Sequence, residues 1–262
     1  MEWNMDFIKK EDYKKHVKEY FELISSSKNA STVEEFNRNI IDPIKMTFTY
    51  FTTGENKEFL IESELNRQVD KTINNHIGYF HQNLFNYIEG WHVPEEGFDI
   101  AKNDNTVFVE LKNKHNTMNS SSSQKTYMNM QNKVIDSLEQ GDNVTCMLVE
   151  VIAMRSQNVA WQISLNKVRT KRESIRRVSI DKFWEFVTGD RYAFQKLMSW
   201  LPITLKSVLT ENEDIEEDDL ILKELTKEAG IFKSLYKLAF GSYEGFENLQ
   251  FKQSDQLSDD FK

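Results

Sequence analysis

A chain of 262 residues is long enough to bury one large core, and its 39% hydrophobic and 12% aromatic content excludes an intrinsically disordered chain. The net charge of −9 excludes a uniformly basic nucleic-acid coat, yet the charge is segregated, and its placement matters more than its sum. Residues 211–219 hold Glu211, Glu213, Asp214, Glu216, Glu217, Asp218 and Asp219, whereas Lys167, Arg169, Lys171, Arg172, Arg176 and Arg177 fall within eleven residues. Two solvated faces and a phosphate-attracting patch both fit those runs. No apolar run approaches the ~20 residues of a membrane span, and the charged start lacks a signal-peptide apolar region, so a cytoplasmic protein without a membrane partner is expected. The single cysteine, Cys146, excludes an intramolecular disulfide and a cysteine zinc site, and its apolar surroundings predict a buried, inert thiol.

Residues 4 to about 25 read as a helix that loosens at Ser25, Ser26 and Ser27. Ser31 with Glu34 suggests a capping box for a second helix, which Pro43 should kink or end. From about 57 to 89, Leu65, Val69, Ile73, Ile77, Leu84 and Ile88 form one apolar stripe of a long helix. Between 90 and 113 the period changes to two β-like runs, FDIA and TVFVELKN, joined by the turn formers Lys102 to Asn105, which predicts a hairpin. A serine-rich connection at 119–123 leads to a helix at about 122–140, and the apolar run 144–154 then suits a fully buried central strand. WQISL at 161–165 is a further strand, and VSIDKFWEFVTGDRYAFQKLMSWLPITLKSVL reads as two helices separated at Gly189 and ended near Pro202. The acidic run after it reads as a linker or solvated helix face, and the last dozen residues as a frayed end. The reading is α/β or α+β: one domain over 1–262, a mixed β-sheet core flanked by helices over about 57–165, and a helical C-terminal region over about 178–250.

Alternation in TVFVELKN places Glu110 and Lys112 on one strand face, and an antiparallel hairpin brings the Asp99 carboxylate beside that of Glu110. Two such carboxylates repel unless a cation lies between them, and hard oxygen ligands suit Mg²⁺. A metal polarising a phosphoryl oxygen and activating water, with an adjacent ammonium, is the equipment of phosphodiester hydrolysis. An acid two residues before lysine recurs at Asp12, Glu55, Glu110 and Asp260, but only Glu110 lies in an alternating run after an Asp-bearing strand. From spacing alone, a metal site and an ion-pair ladder on an exposed sheet face both remain open.

GFDI followed by VFVELKNKHNTMNSSSSQKTYMNMQ resembles the core of the PD-(D/E)XK nucleases and, more narrowly, of type II restriction endonucleases that cut GGNCC sites. The likeness is concentrated at about 73–140, and DKFWEFVTGDRYAFQKLMSWLP is similar to a helical element of several such enzymes. The superfamily's proline before the Asp is Phe98 here, a mild departure because that proline takes no part in the chemistry. The resemblance implies a restriction-endonuclease-like fold and Mg²⁺-dependent, sequence-specific cleavage of double-stranded DNA to 5′-phosphate ends. It implies catalytic roles for Asp99, Glu110 and Lys112, with metal held by Asp99, Glu110 and the Leu111 backbone carbonyl. Glu64, on the long helix that often packs beside such sites, is an additional ligand candidate, against an ordinary first-turn carboxylate. A homodimer is also implied, since two identical subunits match a palindromic site.

Lys114, His115, Asn116 and Asn119 leave the catalytic strand in a polar loop and are candidate DNA contacts, against turn chemistry in which Asn and Ser bond their own backbone. Lys125 is a candidate phosphate contact of the following helix, and Arg172 and Arg176 of the basic run. Buried His81 is expected to be a packed histidine. The absence of a GxxxxGK loop argues against a nucleotide cofactor. Two alternatives stay open: a structure- or damage-directed repair nuclease with the same core, and a non-catalytic DNA-binding protein.

Overall fold

The computed structural model describes residues 2–27, 32–39, 41–54, 56–165, 167–211 and 229–248, and divides the chain into two compact units. One comprises Met1–Val17 and His81–Lys262, the other Lys18–Phe80. Helices α1 (Lys10–Ser25), α2 (Val33–Arg38), α3 (Pro43–Thr53) and α4 (Lys57–Asn83) come first in the chain. The cap of α2 is Thr32, one residue after the expected Ser31, and its hydroxyl accepts from the Glu35 amide at 3.2 Å. Ser31 lies outside the described residues. Pro43 does not kink or end a helix; it opens α3, because a proline at the first helical position gives up an N–H that would be unpaired there anyway. The Asp42 carboxylate completes that cap, accepting from the Ile44 and Lys45 amides at 3.0 Å each. Within Lys18–Phe80, the Gln68 amide donates to the Phe36 carbonyl at 3.0 Å, and Tyr20 meets Phe80 edge-on. The long helix stops at Asn83 rather than near 89, and a 3-10 turn, Leu84–Tyr87, follows.

In the other unit a six-stranded mixed sheet has the order β1-β2-β3-β4-β6-β5, in keeping with a restriction-endonuclease-like fold. Its strands are β1 (Trp91–His92), β2 (Ile100–Lys102), β3 (Val107–Lys114), β4 (Thr145–Ile152), β5 (Asn158–Leu165) and β6 (Val168–Ser179). β3, β4 and β6 run parallel, and the other neighbours pair antiparallel. Parallel β3 and β4 need a crossover, which α5 (Ser120–Glu139) supplies. The serines expected as a connection are its first turn: Asn119 is the cap, accepting from the Ser122 amide at 2.9 Å.

β4 is buried from Cys146 through Glu150 to Val151, so both sheet faces are covered there, as its continuous apolar run predicts. On one face Tyr127, Met130 and Val134 of α5 pack with Phe108, Cys146, Leu148, Trp161 and Ile175. Burial pushes the Cys146 thiol up to about 12, which keeps it protonated and inert. Helix α6 (Ile180–Thr188) packs against β4 and β6, and its Trp184 stacks on Phe85 with ring centroids 4.6 Å apart. Gly189, at φ 73°, ends α6 in the left-handed conformation that a side chain would strain.

Two further expectations are corrected. No strand is expected of the basic run, yet it forms β6, and the helix expected from Val178 begins at Ile180. Pro202 does not end α7 (Ala193–Glu211) but lies inside it. The Tyr13 hydroxyl donates to the Leu197 carbonyl at 2.8 Å, Trp3 packs on Trp200, and Val208 is buried beyond the proline. Such packing on both sides offsets the ~3 kcal/mol that an interior proline costs. After α8 (Ala229–Phe240), the Tyr243 hydroxyl donates to the Val151 carbonyl and accepts from the Ala153 amide, both at 2.8 Å, tying the helical C-terminal region to the end of β4. The acidic run beyond Glu211 and the expected frayed end lie outside the described residues. Among the described residues, no helix is long and apolar enough to cross a membrane.

His81 is buried beside Phe194, and burial, reinforced by His16, holds its imidazole down to about 4 from 6.5. The folded state therefore binds this proton less readily than the unfolded chain. Its contribution is fully present above pH 6.5 and is lost as pH falls towards 4. Unfolding free energy measured by urea titration should fall by up to about 3 kcal/mol across that window, and His81→Gln should flatten this part of the profile.

Candidate active site

The hairpin that carries the site is closed by local chemistry. The Asp104 carboxylate accepts from the Thr106 amide at 3.0 Å, and Asn105 takes a positive φ of 57°, a conformation asparagine tolerates. β2 and β3 then pair Ala101 with Phe108 and Ile100 with Val109, and Asp99 directly precedes the last of these pairs. The Asp99 amide donates to the Val109 carbonyl at 2.9 Å, and Asp99 Oδ2 accepts from the Leu111 amide at 2.7 Å. Lys112 Nζ donates to Glu110 Oε1 at 2.6 Å. Asp99, Glu110 and Lys112 are thus brought together on one sheet face, beside the middle of β3.

Burial raises the Asp99 carboxyl above the ordinary range and the Glu110 charge adds to it, against opposing pulls from the Leu111 amide and Lys112. A part-buried carboxyl beside a second carboxylate makes an all-oxygen donor pair, which fits a hard divalent cation. Alternate residues of a strand direct their backbone groups to the same neighbour, so the Leu111 carbonyl faces the same side as the Val109 carbonyl, towards Asp99. Among the described residues, no group of three or more His, Cys, Asp and Glu side chains gathers as a metal cluster. Glu64 belongs to the Lys18–Phe80 unit, where its carboxylate accepts from Arg67 Nε at 2.8 Å and from Gln68 at 3.3 Å.

The polar loop after β3 divides its work. Lys114 is exposed at the strand end, and its carbonyl accepts from the Thr117 hydroxyl at 2.8 Å. His115 donates from Nδ1 to the Ile152 carbonyl at 3.4 Å, Asn116 is exposed in the turn, and the Asn119 side chain is spent on capping α5. Lys125 is exposed on α5, and Arg172 is exposed on β6. Arg176 is engaged elsewhere: its Nε donates to Asn158 Oδ1 at 2.5 Å, its Nη2 to the Asn158 carbonyl at 2.8 Å, and Glu173 stands 3.6 Å away.

Residues 5–210 match the Eco47II restriction endonuclease family. The chain belongs to that family. It is 31% identical over 248 residues to the type II restriction enzyme Sau96I of Staphylococcus aureus, covering 90% of this chain and 89% of that protein. It is 28% identical over 214 residues to the type II restriction enzyme Eco47II of Escherichia coli, covering 79% of this chain and 89% of that protein. The protein is accordingly a type II restriction enzyme, a site-specific deoxyribonuclease acting on double-stranded DNA.

Sequence reasoning missed two neighbours of the site. Glu150 lies beside Lys112 in the β3–β4 register and is 1% exposed. Arg177 faces it from β6, donating from Nε to Oε2 at 3.0 Å and from Nη2 to Oε1 at 2.5 Å. The available signal was a lone acid within an apolar run; its partner 27 residues away follows only from strand pairing. Arg177→Ala should strand that carboxylate in the interior and lower unfolding free energy in urea by roughly 3 kcal/mol, the low end for a buried pair because the arginine is partly solvated. A loss below about 1 kcal/mol would mean that water reaches Glu150.

Proposed function

We propose that this restriction enzyme cuts double-stranded DNA at GGNCC or a close relative by Mg²⁺-dependent hydrolysis, leaving 5′-phosphate ends, with Asp99, Glu110 and Lys112 as its catalytic residues. The observation that carries this reading is the gathering of the two carboxylates and the lysine on one sheet face where β2 meets β3. The likeness of VFVELKNKHN to enzymes that cut GGNCC supports the choice of site. Asp99, Glu110 and the Leu111 carbonyl would hold Mg²⁺, and the chemistry supplied by the bound ion is Lewis acidity towards a phosphoryl oxygen and acidification of water. Asp99 is kept in place by the Leu111 amide, and Lys112 brings an ammonium to where charge develops on the phosphate. Lys114, His115, Asn116, Asn119, Lys125, Arg172 and Arg176 form the DNA-facing set. Lys114, Asn116, Asn119, Lys125 and Arg172 are its exposed members.

The protein acts as a homodimer in the cytoplasm, one subunit for each strand of a two-fold site. The family match runs through both compact units, which supports one nuclease domain over the chain.

Asp99→Asn and Glu110→Gln should each slow cleavage about 10³-fold or more while leaving DNA binding near that of the parent, since each removes a ligand charge at constant size. Lys112→Ala should slow it comparably. Plasmid digestion in Mg²⁺ with sequencing of the ends tests the site: cuts should share a motif with fixed outer G·C pairs. Ends gathered at mismatches or nicks would replace this reading with a repair nuclease, and binding without any cleavage would leave a DNA-binding protein.

A further inference from the structure

A cleft of about 420 Å³ opens beside the catalytic face, between the first turn of α5 and β5. Its polar lining includes His115, Ser120, Ser123, Gln162, Ser164 and Arg177, and none of the residues that line it is acidic. The α5 turn at its edge carries no acidic side chain either, so the positive end of that helix dipole is uncompensated. Arg177 is the cation of the cleft, and its direction is fixed. Nε and Nη2 are held by the buried Glu150 carboxylate, and Nη2 also donates to the His115 carbonyl at 3.4 Å. Nη1 has no hydrogen-bond partner among the described residues, and the side chain is 32% exposed. The guanidinium therefore offers its remaining edge to the cleft at little further entropic cost.

The register sets the cleft relative to the scissile chemistry. Glu110 pairs with Leu148 and Leu148 with Arg177, so Arg177 stands in the row of Glu110, two strands across. At ~4.8 Å between neighbouring strands that is roughly 10 Å, beyond contact with a phosphate held at Asp99 and Glu110 but within reach of another on the same strand. We propose that this cleft binds a backbone phosphate of the DNA next to the one that is cut, with Arg177 as the anchoring cation and the Ser120 and Ser123 hydroxyls as additional donors. A guanidinium held on a buried carboxylate and a backbone carbonyl, with Nη1 left to donate, can close on a phosphate oxygen, and phosphate contacts fix register without reading bases. The proposal rests on the chain acting on DNA, but not on its metal centre.

It is tested by binding in EDTA, where cleavage plays no part. The full chain is titrated with two fluorescent duplexes, one a fragment that it cuts and one of unrelated sequence, over a series of salt concentrations. E150Q/R177Q replaces both charges with amides, so no charge is left buried. Its slope of log affinity against log salt should be shallower than the parent's by about 0.9, with equal loss on both duplexes. E150Q alone, which keeps the guanidinium, should keep the parent's slope. An unchanged slope in the double variant overturns the proposal, and so does a loss confined to the cleavable duplex, which would mark base reading. If the double variant melts below the assay temperature, R177K carries the test, since it keeps a charge opposite Glu150. It should weaken binding several-fold on both duplexes while retaining the slope, and unchanged affinity would overturn the assignment.

Discussion

Asp99 has two backbone obligations at the point where β2 meets β3. Its amide closes the ladder on Val109, and its carboxylate takes the amide of Leu111. The side chain cannot swing away without leaving a part-buried N–H unpaired, which costs about 1–3 kcal/mol. The pleat does the rest. The pairing that sends Ile100, Val109 and Leu111 into one apolar layer sends Asp99, Glu110 and Lys112 to the opposite face, and a slip of one residue would bury two acids and a lysine. α5 covers that opposite face at Phe108 but leaves Glu110 and Lys112 partly open. Core and site are therefore consequences of the same register.

The next strand carries the constraint further. β4 is buried on both faces, and a carboxylate there costs several kcal/mol unless it is paired. Arg177 meets both Glu150 oxygens, which makes that burial tolerable. Glu150 is the register neighbour of Lys112, and both of its oxygens accept from Arg177, whereas the Lys112 ammonium bonds along its own strand to Glu110 at 2.6 Å.

What could be read from the sequence followed from period. Alternation in TVFVELKN gave the strand, its two faces and the grouping of Glu110 with Lys112, and the turn chemistry of Lys102 to Asn105 gave the hairpin that adds Asp99. The continuous apolar run gave the buried central strand, down to the inert Cys146. Pro43 and Pro202 misled because proline is only a local signal: at a first helical position it costs nothing, and within α7 packing on both sides overrides it. The serines at 120–123 read as a connection in sequence, but Asn119 caps them into the first turn of α5. Glu150 and Arg177 are legible only once strands are paired, because the partners lie on different strands and no periodicity within either one encodes the other.

The basic run shows why density along the chain is a poor guide to a phosphate patch. Lys167 to Arg177 look like one cluster, but a strand divides its side chains between two faces, and β6 sends Arg177 to the α5 side with Ile175 and Arg176 to the other. Much of the charge is then already spent. Glu173 pairs with Lys171 at 3.0 Å and lies near Arg176, whose guanidinium is in any case bound to Asn158. Arg172 is exposed and makes no ion pair among the described residues. Arg177 is paired, but through one edge of a group that has two. A cation closes on a phosphate only to the extent that its own acid has not closed on it first. In β6 that remainder is fixed by pairing and pleat, so residues adjacent in sequence can differ completely in what they have left to offer DNA.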